Sequence, residues 1–293
     1  MEARNQRFAL SFLVPAFLVT LAFFIYPIYL ILDLSLREGK PSRIADIGQL
    51  PLTLENYSDV LARPETWRAL FVTVQYAGAT VIGAVFIGLI TALLLRRRLP
   101  GRRFWRTLVM IPWPIPGAIA TVAFVWMLDG TYGVVNYVLR TVGIIPENIA
   151  WFFNPETALI GVLMPTIWIA YPVCTLILLA GLQGIPEELY EAARIDGASG
   201  WQQFRFITWP GLQSSAALAV VITGLWCFTT FDFIYAITRG GPNGATETLA
   251  VAIYNEAFRF FRLPDASALG VATIVFAAAL VLLMAPMLKR RFH

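Results

Sequence analysis

Along this chain the apolar residues run in unbroken blocks rather than in stripes. Blocks near 8–32, 70–95, 107–128, 157–181, 210–237 and 266–288 each supply the roughly 20 helical residues that cross a hydrocarbon core of about 30 Å. In lipid, every backbone polar group must be satisfied within the protein, which leaves helices and closed strand barrels. A barrel strand alternates apolar and polar residues over segments of about ten, whereas these blocks are apolar on all sides. The pattern predicts an all-α integral membrane fold: six transmembrane helices in a single domain, 1–293. The first block is far longer than the roughly 7–15 apolar residues of a signal peptide, and no small-residue cleavage site follows it, so it is expected to remain as helix one.

Composition agrees with the pattern. The chain is 58% hydrophobic and 14% charged, with a mean hydropathy of +0.69, where an ordinary soluble domain is about 25% charged. Basic residues set the orientation. With the amino terminus inside, the inner segments 1–7, 96–106, 182–209 and 289–293 hold 13 Lys/Arg in 51 residues, and the outer segments 33–69, 129–156 and 238–265 hold 9 in 93. Both termini are therefore expected in the cytoplasm. The run RRRLPGRRFWR at 96–106 sits between two spanning blocks, where it serves as a topology anchor on anionic membrane lipid rather than as a nucleic-acid site. No nucleic-acid partner is expected. Cys174 and Cys227 fall inside predicted helices and are expected to pack as small buried residues, not to form a disulfide.

Several chemistries lack their residues. The one histidine is His293, so a Ser/His hydrolase or a His-ligated metal site is not supported. The two lysines, Lys40 and Lys289, precede Pro41 and Arg290, and neither continues as the Lys-Ser/Thr of a phosphate-binding loop. The chain is expected to be no enzyme, with no cofactor and no metal of its own. Asp33 and Asp129 lie at predicted helix ends and Asp232 close to one, so no relay of mid-membrane charges is visible.

One polar stretch, 182–209, interrupts the apolar blocks. Pro186 suits a first helical turn, and Glu187 and Glu188 then meet the positive end of the helix dipole. Leu189, Ala192 and Ala193 share one face, and Asp196–Gly197 ends the helix, because glycine accepts a left-handed cap. Ser199 caps a second short helix carrying Trp201, Phe204 and Ile207 on one side. Two roles fit this helix–turn–helix. It could rest on lipid headgroups, but such a helix favours a basic face, and here Glu187, Glu188, Glu191 and Asp196 outnumber Arg194 and Arg205. The alternative is docking on a protein partner.

Glu191, Ala192, Ala193, Asp196, Gly197, Ala198, Phe204 and Pro210 resemble the EAA loop of the membrane subunits of bacterial ABC importers. The likeness extends through YPIYLILDLSL in the first block, LENYSDVLARPETWRALFVTV at 54–74, IPWPIP at 111–116, WIAYPV at 168–173, and FDFIYAITRGGP at 231–242 with TLAVAIYNEAF after it. The last pair is similar to the carbohydrate-uptake branch, which includes the larger membrane subunit of the maltose importer and the glycerol-phosphate permeases. The resemblance implies the type I importer permease fold and a multi-pass place in the bacterial cytoplasmic (inner) membrane. Implied partners are a second related permease, two cytoplasmic ATP-binding subunits that hold the ATP and Mg, and an extracytoplasmic solute-binding protein delivering a sugar-like solute. It assigns ATPase coupling to Glu191, Ala192, Ala193, Arg194, Asp196 and Gly197.

The same resemblance places a solute pathway at Trp113, at Ile169, Ala170 and Val173, and at Thr223, Trp226, Cys227 and Thr230. Where the maltose subunit carries amides and a tyrosine, this chain has Cys227, Thr230 and Val173, so maltose itself is not implied. The tryptophans offer faces on which sugar C–H groups stack, and the threonines offer hydroxyl contacts. On residue spacing alone, that face of the fifth predicted helix more often packs against a neighbour than lines a cavity. Asp232, about 200° around the helix from Thr230, is expected to be structural near the outer interface, with the Arg239–Pro242 turn at the outer mouth. The rival function is a self-sufficient secondary carrier or channel, which calls for internal repeats. No clear repeat relates residues 1–150 to 151–293.

Overall fold

The structure, a computed structural model, describes residues 14–38, 50–97 and 100–288. The start of the expected first helix, Lys40, Arg98 and Leu99 of the basic run, and 289–293 with His293 lie outside the described residues. Among those described, the architecture is helical, and the one β-type pairing is an isolated bridge between Arg37 and Leu52. The chain divides into two compact units, Met1–Trp67 with Ala252–Val275, and Arg68–Val251 with Phe276–His293.

In the first unit, helix α1 (Val14–Ser35) is long and apolar enough to cross a membrane, and carries a π-turn at Leu21–Ile25. Its end is fixed by polar contacts: Ser35 Oγ lies 2.6 Å from Tyr57 Oη, and Asn56 Nδ2 donates to the carbonyls of Ser35 and Arg37. Asn56 and Tyr57 belong to the short α2 (Glu55–Ala62). Arg63 pairs with Asp265 at 2.5 Å and with Glu256 at 3.4 Å. Burial opposes the Arg63 charge, but the bond to Asp265 and the charges of Asp265, Glu256 and Asp59 hold its pKa above the usual value.

The second unit is built on α3 (Pro64–Arg96), α7 (Pro155–Gln183) and α9 (Gly200–Thr229). Small residues let these helices approach. Ala84, Gly88 and Ala92 recur every fourth position on α3, and Ala84 packs with Ala170, Cys174 and Ala219. This is the small-residue packing that membrane helices use in place of a hydrophobic driving force. Hydroxyls add bonds across the same helices: Tyr76 to Thr166 at 2.9 Å, Thr91 to Thr175 at 2.6 Å, and Cys174 to Thr223 at 3.3 Å. Pro165 and Pro172 sit within α7 without ending it. Asn154 starts α7 by accepting from the Glu156 amide.

Two of the six expected spans are changed. The block 107–128 is not one helix but α4 (Arg102–Met110), a turn through 111–116, and α5 (Gly117–Met127). Pro112, Pro114 and Pro116 cause the break, because each lacks an amide hydrogen and disfavours helix at the residue before it. At about 1.5 Å per residue α5 rises only about 16 Å; five helices reach spanning length among the described residues, and the shorter apolar α5 stands where the remaining span is expected. The block 210–237 is likewise interrupted. Helix α9 ends at Thr229, where Thr229 and Thr230 hydroxyls both donate to the Trp226 carbonyl, and α10 (Asp232–Ile237) follows. The short α11 (Leu249–Tyr254) begins where the Leu249 amide donates to Thr73 Oγ1 of α3. The last helix, α12 (Leu263–Leu288), lies close to its expected bounds.

Between α5 and α7, helix α6 (Val134–Thr141) is organised by Asn136. Its amide donates to the carbonyls of Asp129 and Ile149 and accepts from the Ile149 amide and Trp151 Nε1. Truncating it strands buried donors, each at about 1–3 kcal/mol. Asn136→Ala is expected to destabilise the purified protein by about 2–4 kcal/mol, read as a fall in Tm in detergent, whereas Asn148→Ala at the exposed neighbouring position changes Tm little. Equal shifts for the two would contradict this account.

Candidate functional site

The polar stretch folds as a helical hairpin. Helix α8 (Glu187–Ile195) starts after Pro186, with Glu187 and Glu188 in its first turn. Its end is a Schellman cap. The Gly197 amide donates to the Arg194 carbonyl, the Ala198 amide to the Ala193 carbonyl, and Gly197 has φ +78°, the left-handed geometry glycine adopts without penalty. Ser199 then opens α9 with a capping box, in which the Ser199 amide donates to Gln202 Oε1 and Ser199 Oγ accepts from the Gln202 amide.

The second arm differs from the separate short helix expected there, because Gly200–Thr229 runs without a break, through a π-turn at Phe204–Thr208. Pro210 does not stop it. At N1 or N2 of the segment Trp209–Thr229, its missing amide falls where the wider π-turn already disturbs the ladder. The break between α7 and α9 is therefore 184–199 rather than 182–209.

The coupling residues divide by position. Glu191, Ala192 and Asp196 are exposed and Ala193 is half-buried. Arg194 is also exposed, but its side chain is tied back to α8, donating from Nε to the Tyr190 carbonyl and pairing with Glu187 at 3.4 Å. Between Arg194 and Asp196 stands Ile195, 87% exposed. Its signal in the sequence is EAARIDG, where it is the one large apolar residue, set between two charges. The buried residue of α8 is Tyr190; of the Leu189, Ala192 and Ala193 face, Leu189 and Ala192 are exposed.

The solute-pathway residues do not form one open surface within this chain. Thr223, Cys227 and Thr230 are buried, and Cys227, 1% exposed, packs with Tyr76, Val162 and Phe228. Ile169 packs with Ala120 and Phe233, and Ala170 with Ala84 and Cys174. Val173 is half-buried, and Trp113 (59%) and Trp226 (37%) are exposed. Thr223 and Cys227 are one turn apart and share a stripe, while Trp226 lies about 60° from Thr223 and about 100° from Cys227 around the helix. Asp232 is exposed in the first turn of α10, a favourable place for a carboxylate.

Apolar helices long enough to cross a membrane, with a capped polar hairpin on one connection, define a multi-pass membrane protein. Similarity to known proteins narrows that class. Residues 84–292 match the family of binding-protein-dependent transport system inner membrane components, and the chain belongs to it. It is 35% identical over 279 residues to the trehalose/maltose transport system permease protein MalF of Thermococcus litoralis, covering 94% of this chain and 91% of that one. It is also 35% identical to the sulfoquinovosyl glycerol transport system permease protein SmoG of Agrobacterium fabrum, covering 96% and 89%. In fold it is similar to a chain of the bacterial alginate ABC transporter solved with an alginate pentasaccharide-bound periplasmic protein, with a TM-score of 0.81, 21% identity, and coverage of 99% and 96%. The chain is thus a multi-pass inner-membrane permease of an ABC importer that works with a binding protein.

Proposed function

We propose that this permease carries a sugar, or a related polyol or glycoside, and that the hairpin 184–199 couples it to a cytoplasmic ATPase. The observation that carries the coupling is the hairpin itself: a rigid, doubly capped turn that buries Tyr190 inward and presents Ile195 outward beside Glu191 and Asp196. The sugar class is supported by the relatives, whose names state trehalose, maltose and sulfoquinovosyl glycerol. The residues add that Trp113 and Trp226 are exposed aromatic faces, suited to stacking against sugar rings where a second, related permease completes the pathway. In this reading two ATP-binding subunits supply ATP and Mg from outside the chain, and both termini are cytoplasmic.

The energetics require such a partner. Turning a gate from 1:99 to 99:1 takes about 5.5 kcal/mol of differential binding, and neither lysine of this chain stands in a phosphate-binding loop that would draw it from ATP. ATP closure of the neighbouring subunits provides the difference, with Ile195 seated in the ATPase. Replacing Ile195 by Asp is expected to weaken association with the ATPase by about thirtyfold, the scale of a buried apolar hot spot, measured by co-elution at graded concentrations. In proteoliposomes the complete assembly takes up solute with ATP and the binding protein, and not with an ion gradient alone. Uptake by this chain alone, driven by a gradient, would establish the secondary-carrier alternative instead.

A further inference from the structure

Helix α8 is joined through the backbone only to α7 and α9, yet it also touches α3. The contact is made by Tyr190, buried at 7% exposure. The Arg96 guanidinium, in the last turn of α3, lies 4.1 Å from the centre of the Tyr190 ring. Arg96 Nη2 also reaches Glu187 Oε2 at 3.2 Å. On its far side, Tyr190 Oη is 2.9 Å from Thr208 Oγ1, inside the π-turn of α9. One aromatic side chain therefore holds three helices at the base of the hairpin.

These contacts differ in strength. A pair such as Arg96–Glu187, with Glu187 largely exposed, contributes little because solvent screens it. A guanidinium over a buried ring whose hydroxyl is itself anchored is better shielded and better oriented. The Tyr190 contact is consequently the firm link to α3, and the ion pair supports it.

We propose that Tyr190 is a positioning residue that, with Arg96, ties the hairpin to the inner end of α3, so that a push on the hairpin moves α3 directly. This rests on the reading that the hairpin docks on an ATPase. Helix α3 is the element such a link would best move. It carries the Ala84, Gly88 and Ala92 contact with α7, and the Tyr76 and Thr91 bonds to Thr166 and Thr175. No covalent path from Glu187 to Arg96 is shorter than the 91 positions between them, so without Tyr190 the hairpin acts on α3 only through the solvent-screened Arg96–Glu187 pair and the packing of α7 and α9.

The test uses the full assembly, with its ATPase, partner permease and binding protein, in proteoliposomes. Solute imported per ATP hydrolysed is measured beside retention of the ATPase on purification. Tyr190→Leu is expected to lower solute per ATP by about tenfold, within the range of ordinary coupling free energies, while the ATPase stays bound. Tyr190→Phe keeps the ring under Arg96 and retains most of the coupling, and Arg96→Lys retains more than Arg96→Gln. Should Tyr190→Leu fail to assemble, Arg96→Gln decides, since it leaves the hairpin sequence intact. Wild-type solute per ATP in Arg96→Gln, or in an assembled Tyr190→Leu, overturns the proposal. Loss of the ATPase from an otherwise folded Arg96→Gln assembly also overturns it, by making Arg96 a docking contact. Uptake by the wild-type assembly without ATP would instead sink the functional reading beneath it.

Discussion

Uptake is expected to be lost in Gly197→Val and kept in Gly197→Asn. The reason lies in the backbone and not in the space around it. A β-carbon built on Gly197 meets nothing within 4 Å, but the residue holds φ +78°. For ordinary L-residues left-handed geometry costs about 1–2 kcal/mol, or roughly five- to thirtyfold in population, and a β-branched residue is worse placed still. Asparagine tolerates that region by comparison. With valine the Schellman bonds from Gly197 and Ala198 to Arg194 and Ala193 are strained, and the exposed Ile195 is no longer presented at the fixed angle those bonds impose. Solute uptake by the assembled importer should fall about tenfold or more on this scale, while the Tm of the isolated chain changes little, because the hairpin tip buries little. If Gly197→Val transports as well as Gly197→Asn, the rigid-tip account is wrong.

A large effect on stability is expected at Gly88. A β-carbon there would stand 2.7 Å from Cys174 Cβ, 3.0 Å from the Thr175 amide nitrogen and 3.1 Å from the Cys174 carbonyl carbon. These are atoms of or next to the α7 backbone, which cannot swing aside as a side-chain tip can. Gly88→Ala should therefore force α3 and α7 apart at about 1–3 kcal/mol, and Gly88→Leu should prevent recovery of folded protein. Gly78 is the control on the same helix. Its added β-carbon meets nothing within 4 Å, so Gly78→Ala should be neutral or stabilising by up to about 1 kcal/mol, as alanine is the better helix former. Thermal unfolding of the purified chain in detergent measures both, and shifts of one sign and size would refute the close-packed α3–α7 contact.

The caps of the hairpin are legible in the sequence, and its faces are not. Gly197 as the left-handed stop and Ser199 as the next cap follow from local chemistry, which is short-ranged and written in adjacent residues. The buried side of α8 does not follow. Leu189, Ala192 and Ala193 have the spacing of a buried face, but Tyr190 takes the interior, because what waits there is Arg96, on a helix 91 positions before Glu187. The solute-pathway set divides for a similar reason. Spacing places Thr223, Trp226, Cys227 and Thr230 on one side of α9, whereas contacts with Tyr76, Val162 and Cys174 draw Thr223 and Cys227 inward and leave Trp226 outside. The prolines of IPWPIP are plain in the sequence, but hydropathy averages across them, so the block 107–128 reads as one span where the backbone makes two helices.

By itself the sequence determined the solvent of this protein and its local punctuation. Long apolar blocks have no soluble solution, prolines and glycines fix where helices bend or stop, and the EAA-type pattern is contiguous. Only the tertiary structure decided which small residues became the α3–α7 contact, which polar side chains are satisfied inside the bundle, and that Ile195 stays bare while Tyr190 is enclosed. Apolarity in a membrane helix is nearly uniform around its circumference, so it carries almost no information about which face meets lipid and which meets another helix.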